Sequence, residues 1–215
     1  MNPAAPALHL VRHGQSTWNL IGLVQGQTAH PELTELGRDQ AVRAATRLAD
    51  LPIVRLLTSD LVRAAQTAEI IGAAIGVRPQ ATALLREQDV GDLEGRPSDD
   101  AALAWEAAAQ ALDVYGDPIG AVDVRPGGGE SLRDVLARVT ALLASPWITE
   151  AAGDVVLVSH GDTIRVMLAH LLGDEFEDLD WRRVDNGEVH SVHRTDDGAV
   201  RYVVRSGALV PGPQG

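Results

Sequence analysis

The sequence predicts an α/β protein, a single three-layer domain in which a mainly parallel sheet carries helices on both faces. Three observations lead there. Short apolar runs at Leu8 to Val11, Val54 to Leu57 and Val155 to Ser159 have the length of buried strands. Each is followed, directly or after a polar loop, by a stretch with helix-start signals and an apolar stripe. The 215 residues can bury one substantial core and are short for two.

Taken in order, Leu8 to Val11 is the first strand, and the polar, Gly-bearing segment to Pro31 is a loop. Thr34 caps a helix to about Asp50, with Leu36, Ala41, Ala44, Ala45 and Leu48 on one stripe. Val54 to Leu57 is the second strand. It ends in Thr58-Ser59-Asp60, all capping types, so the helix from Leu61 to Ile75 holds Arg63 in its first turn. Arg78 to Thr82 forms a third strand before a loop bearing Glu87, and an Ala-rich acidic helix runs from Ser98 to about Leu112. Pro118 to Gly129 is irregular, and Ser131 opens a helix to about Leu143. A strand to Ser159 and a helix from Asp162 to Leu172 make one more unit, and two short strands, Glu188 to His193 and Val200 to Arg205, close the chain. Residues 1–209 form the domain and 210–215 a C-terminal tail.

Composition narrows the function classes. The formal net charge is -12, and every one of the 18 basic residues is Arg. A basic face for nucleic acid or for an anionic membrane is therefore not expected. Cys is absent, which removes disulfides, thiol nucleophiles and thiolate metal sites. No apolar run approaches membrane-spanning length and the start lacks a signal-peptide pattern, so a cytoplasmic enzyme, a monomer or homodimer, is expected.

The chemistry is concentrated at predicted strand ends. Arg12-His13-Gly14 follows the first strand, and Ser159-His160-Gly161 follows the strand from Val155. In such sheets ligands bind beyond the carboxyl ends of the strands, where helix N-termini attract anions. Arg offers a planar fork of donors for phosphate oxygens, glycine lets backbone approach a ligand, and His supplies a nitrogen that is a free base near neutral pH. His13 is expected in a surface cleft. Arg63, at a helix start, is unfavourable against the dipole unless an anion bridges the two, although a salt bridge to Glu69 or Asp60 would also account for it. His9, His30, His170, His190 and His193 read as structural or surface residues, and no spacing compels a metal site.

Val11-Arg12-His13-Gly14-Gln15-Ser16-Thr17-Trp18-Asn19, Ser59 to Ala68, Leu85-Arg86-Glu87 with Gly91-Asp92-Leu93-Glu94-Gly95, and Val158 to Gly161 resemble, in order, the motifs of the histidine phosphatase superfamily, which contains the cofactor-dependent phosphoglycerate mutases. The resemblance runs from Leu8 to about Leu172. It implies the phosphoglycerate mutase-like fold and a small phosphorylated metabolite as substrate, with neither cofactor nor metal. It makes His13 the nucleophile and Glu87 the proton donor, and it places Arg12, Arg63 and His160 around the phosphoryl group with Asn19 as a neutral donor. A carboxyl beside anionic phosphate can stay protonated near neutral pH, which suits Glu87 to that role. Asp89 or Glu94 could take the role instead, or Glu87 could simply pair with Arg86. Gln25, Gly26 and Gly161 align with substrate-facing turns of the family.

Three functions compete: a phosphomonoesterase, a phosphoglycerate mutase and a non-catalytic binder of phosphorylated ligands. A binder has no use for both His13 and Glu87. A mutase should carry extra basic residues over its pocket, yet Gln88 to Arg125 holds only Arg96 and Arg125 among many Asp and Glu. Leu93 also stands where relatives often have an aromatic. The sequence thus favours the phosphatase.

Overall fold

The computed structural model describes residues 6–111, 122–174, 182–194 and 200–205. The expected tail at 210–215, and Tyr115 in the acidic segment, lie outside them. Strand β1 (Leu8–Arg12) is followed by a one-turn helix α1 (Thr17–Leu20), then α2 (Glu35–Leu48), β2 (Ile53–Ser59), α3 (Val62–Ile75), β3 (Gln80–Thr82) and α4 (Ser98–Ala111). The second half contains α5 (Leu132–Leu143), α6 (Pro146–Thr149), β4 (Asp154–Ser159), α7 (Gly161–Leu172), β5 (Val189–Arg194) and β6 (Val200–Arg205). The six strands form one sheet in the order β3-β2-β4-β1-β5-β6. β1, β4, β2 and β3 pair in parallel, and β5 and β6 add an antiparallel edge beside β1.

The period of two along each strand divides the core. Leu10, Leu57, Val155 and Leu157 face Val135, Val139 and Leu142 of α5 and Ile164, Met167 and Leu168 of α7. Val11, Leu56, Val156 and Val158 face the other way, onto Ala44, Ala45 and Leu48 of α2 and Ala64, Ala68 and Ile71 of α3. This is the expected sandwich, with alternate residues committed to opposite layers. Among the described residues, no helix is long and apolar enough to cross a membrane.

Several local expectations are corrected. Leu36 is exposed rather than on the buried stripe, because the helix begins at Glu35 and Gly37 takes the inward position with Ala41, Ala44, Ala45 and Leu48. Gly37 meets the end of β1: a Cβ on it would lie 2.1 Å from the Gln15 carbonyl oxygen, and one on Gly14 would lie 2.1 Å from that of Gly37. Gly14 is therefore needed for helix-to-strand contact, where a ligand approach was expected. The segment expected as loop throughout contains α1, which Ser16 and Asn19 close as a reciprocal capping box. Helix α3 starts one residue later than expected, with Leu61 as an N-cap that makes no side-chain bond. The third strand is shortened to Gln80–Thr82, since Pro79 has no N–H to give a ladder.

Candidate active site

Arg12 pairs with Ser159 in the parallel register of β1 and β4, so the residues that follow, His13 and His160, leave the sheet side by side. Their ring centroids are 5.0 Å apart. Both rings are buried, His13 at 2% exposure, so the nucleophile candidate lies below the surface and not in an open surface cleft. The His13 Nδ1 lies 2.7 Å from the Gly14 carbonyl oxygen. A carbonyl only accepts, so Nδ1 carries the proton and Nε2 holds the lone pair. Burial, followed by the charges of Arg63 and Arg12, pushes the His13 pKa well below the ordinary histidine value, and burial with Arg63 does the same to His160. Both imidazoles are neutral at pH 7.

The two arginines arrive from different elements. Arg12 donates Nη1 to the Val184 carbonyl at 2.6 Å. Arg63, in the first turn of α3 and fully buried, donates to the carbonyls of Thr28 at 2.9 Å and Gly26 at 2.7 Å. Its pKa is pulled down to about 10, first by burial, which still leaves it a cation near neutrality. The alternative pairing with Asp60 is not what the structure shows: Asp60 takes a two-pronged contact from Arg86 instead. Arg86 is thereby turned away from Glu87. Arg12 Nε, Arg63 Nε and both ring nitrogens of His160 are buried with no partner among the described residues. Orphaned buried donors of this kind are costly unless something meets them.

Glu87 sits on the loop after β3, and four successive carbonyls of that loop are gripped by side chains. Arg138 bonds Leu84 O and Glu87 O, Ser159 Oγ bonds Leu85 O at 2.7 Å, and Thr163 Oγ1 bonds Arg86 O at 2.7 Å. The carboxylate itself covers the start of α7, whose N-cap His160 makes no side-chain capping bond. Oε1 accepts from Thr163 N at 3.1 Å, Thr163 Oγ1 at 3.2 Å and Gln88 N at 3.1 Å, while Oε2 has only a 3.3 Å contact from Asp162 N. Oε2 is thus the less engaged oxygen. It also lies 3.7 Å from the place where a Gly161 side chain would begin, as does the Arg12 guanidinium carbon.

Of the other expected residues, Asn19 caps α1 and holds its Oδ1 toward Ser16. Gln25 is tied by its Oε1 to Ser16 Oγ at 2.7 Å, and Gly26 gives its carbonyl to Arg63 in a conformation with φ of 44°. A Cβ on Gly26 would fall 2.3 Å from a Glu94 carboxylate oxygen, so this glycine is required by packing. Glu94 bonds Gln27 N and Thr28 Oγ1, which puts it behind the loop that holds Arg63. Asp89 accepts from Gly91 N in a local turn. Three contributors escaped the sequence reading: Arg138, Thr163, and Arg165, which pairs with Asp162 of the turn already expected to face substrate. Burial, then the neighbouring Glu87, pushes the Asp162 carboxyl up to about 6. The Asp162 spacing to Arg165 on a helix was the one signal that could have exposed the pair.

Residues 8–205 match the histidine phosphatase superfamily (branch 1). The chain belongs to that family. It is 39% identical over 166 residues to a protein of Klebsiella pneumoniae subsp. pneumoniae named probable phosphoglycerate mutase GpmB, covering 77% of this chain and 74% of that one. Among solved structures it is similar to a mycobacterial glucosyl-3-phosphoglycerate phosphatase in complex with VO3, at 31% identity and a TM-score of 0.75 over 94% of this chain and 98% of that one. It is also similar to the alpha-ribazole phosphatase of Shigella flexneri, at 26% identity and a TM-score of 0.77 over 92% and 95% of the two chains. The protein is an enzyme of the histidine phosphatase type.

Proposed function

We propose that this histidine phosphatase is a phosphomonoesterase that hydrolyses a small phosphorylated metabolite through a phosphohistidine on His13. The observation that carries the reading is the His13 tautomer: Nδ1–H is committed to Gly14 O, leaving Nε2 as a neutral nucleophile. The buried, unpartnered donors of Arg12, Arg63 and His160 surround it, and a phosphoryl group is the ligand that satisfies them together. Nε2 attacks phosphorus, the bond from phosphorus to the ester oxygen breaks, and a proton from Glu87 Oε2 goes to that oxygen. Water then attacks the phosphohistidine while Glu87 takes its proton. Phosphate leaves and His13 is regenerated. Arg12, Arg63 and Asn19 hold charge that grows in the transition state, which is where fixed donors gain most.

The names of the similar solved structures, both phosphatases, support hydrolysis; the curated relatives named mutases support the alternative of phosphoglycerate mutase. The observation favouring hydrolysis is charge: Arg125 is spent on Asp134, and Asp99 and Asp100 stand in the first turn of α4. The side chain of Trp105, in the same acidic segment, lies outside the described residues. The test is a phosphate-release screen over sugar phosphates, nucleotides and phospho-acids, run beside a 3-phosphoglycerate mutase assay. His13→Gln should abolish release, and base quench of the wild type with labelled substrate should trap an acid-labile, base-stable phosphoprotein. Release at the wild-type rate by His13→Gln would overturn the mechanism, and mutase turnover exceeding hydrolysis would replace the activity.

A further inference from the structure

The turn before β5 lies outside every motif discussed above, yet it touches three residues of the site. Arg12 N–H donates to Glu188 O at 3.2 Å, Gly187 N–H donates to Arg12 O at 3.0 Å, and Val184 O holds the Arg12 guanidinium. Asn186 Nδ2 donates to His13 O at 2.9 Å and reaches Asn19 Oδ1 at 3.4 Å. We propose that Asn186 is a positioning residue of the phosphoryl-transfer site, one amide nitrogen that sets the His13 backbone and the Asn19 side chain in fixed relation. The proposal rests on the assignment of His13 and Asn19 given under Proposed function.

Asn19 Oδ1 accepts from Ser16 N–H at 3.1 Å and from Asn186 Nδ2 at 3.4 Å, while the Ser16 hydroxyl proton goes to Gln25 Oε1. With two N–H donors on its oxygen the Asn19 amide cannot reverse, and its NH₂ is turned to the opposite side, where it can serve a phosphoryl oxygen. Asn186 cannot reverse either, because its own oxygen would then face two acceptors, His13 O and Asn19 Oδ1. The turn that presents it is itself fixed. Glu188 N–H bonds Asp185 O at 3.0 Å, the Glu188 carboxylate takes Asp185 N–H at 2.9 Å, and Gly187 at φ 71° leaves no room for a side chain against Gln40. Gln40 in turn accepts the Gln15 N–H at 2.7 Å. The nucleophile, the neutral donor and Arg12 are thus referenced to a single turn.

Asn186→Asp keeps the shape and replaces the donor by a charged acceptor; Asn186→Ala removes it and serves if the aspartate variant fails to fold. With p-nitrophenyl phosphate, Asn186→Ala should lower kcat/KM about tenfold and Asn186→Asp on the order of a hundredfold, the scale of a small misplacement of reacting groups. Both should weaken inorganic phosphate binding in calorimetry. The deciding measurement is a double-mutant cycle with Asn19→Ala, read on phosphate binding and on kcat/KM. Because the bond to His13 O survives in Asn19→Ala, adding Asn186→Ala there should cost clearly less than it does in the wild type, whereas fully additive losses overturn the proposal. Wild-type kinetics and phosphate affinity in Asn186→Ala also overturn it. Because phosphate binding is read without turnover, absence of a phosphohistidine in the wild type would defeat the mechanism above while leaving the cycle decisive.

Discussion

His13 combines a fixed tautomer with a lowered pKa, and the second property has a named cause that substitution can remove. Arg63 is the first charge acting on it after burial itself. Imidazole NMR should find His13 and His160 still neutral at pH 6, below where a solvated histidine is half charged. In Arg63→Met the His13 midpoint should rise toward the ordinary value, and phosphate release should fall at least about a hundredfold, as when a preorganised donor is lost. An unmoved midpoint would mean that burial and Arg12 set it without Arg63. At this scale the sequence was informative where residue type coincides with a strand end or a helix start, as for Arg12, His13, His160 and Arg63. It was silent on side chains that act on backbone. Arg138, Thr163 and Asn186 reach carbonyls from distant segments, and nothing in their local spacing announces a partner.

Elements were legible in proportion to their length. Runs such as Val155 to Ser159 and stripes such as Ala41, Ala44 and Leu48 express a period, whereas α1 and α6, four residues each, are too short to have one. The placement of α2 shows what pattern alone omits: its inward face begins with Gly37, and a glycine contributes no hydrophobic signal. Gly37→Ala sets two effects against each other. Helix propensity favours alanine by about 1 kcal/mol, while a methyl 2.1 Å from Gln15 O forces α2 off the end of β1 at about 1–3 kcal/mol or more. Packing should win, lowering the thermal midpoint by several degrees and slowing phosphate release, since Gln15 lies two residues from His13. A higher midpoint in Gly37→Ala would show that the contact relaxes freely.

For the whole molecule, a site built from buried neutral imidazoles ties stability to pH. The folded pKa values of His13 and His160 lie below the unfolded value of about 6.5, so the unfolded chain binds more protons as pH falls through that range and stability declines. Asp162 acts in the opposite sense. Its folded value of about 6 lies above the unfolded one, so below it the folded state gains a proton that the unfolded chain lacks until near pH 4. Two groups against one leave a net acid destabilisation from this site. The midpoint should fall between pH 7 and pH 5, and less so in His13→Gln/His160→Gln, a comparison that cancels the relief of the -12 net charge common to both proteins. Equal slopes in the two proteins would contradict the assignment.

The parallel pairing of β1 with β4 that sets the two histidines side by side also joins the first strand made to one of the last. Leu10 and Val11 leave the ribosome long before Val155 to Val158, and at synthesis rates of about 5–20 residues per second the delay is roughly 7–30 s. Throughout that interval β1 is an apolar strand without neighbours on either side, because its antiparallel partner β5 follows later still. The nascent chain therefore carries an unpaired apolar strand through that interval, one a chaperone can shield, and the two histidines cannot meet before β4 has been made.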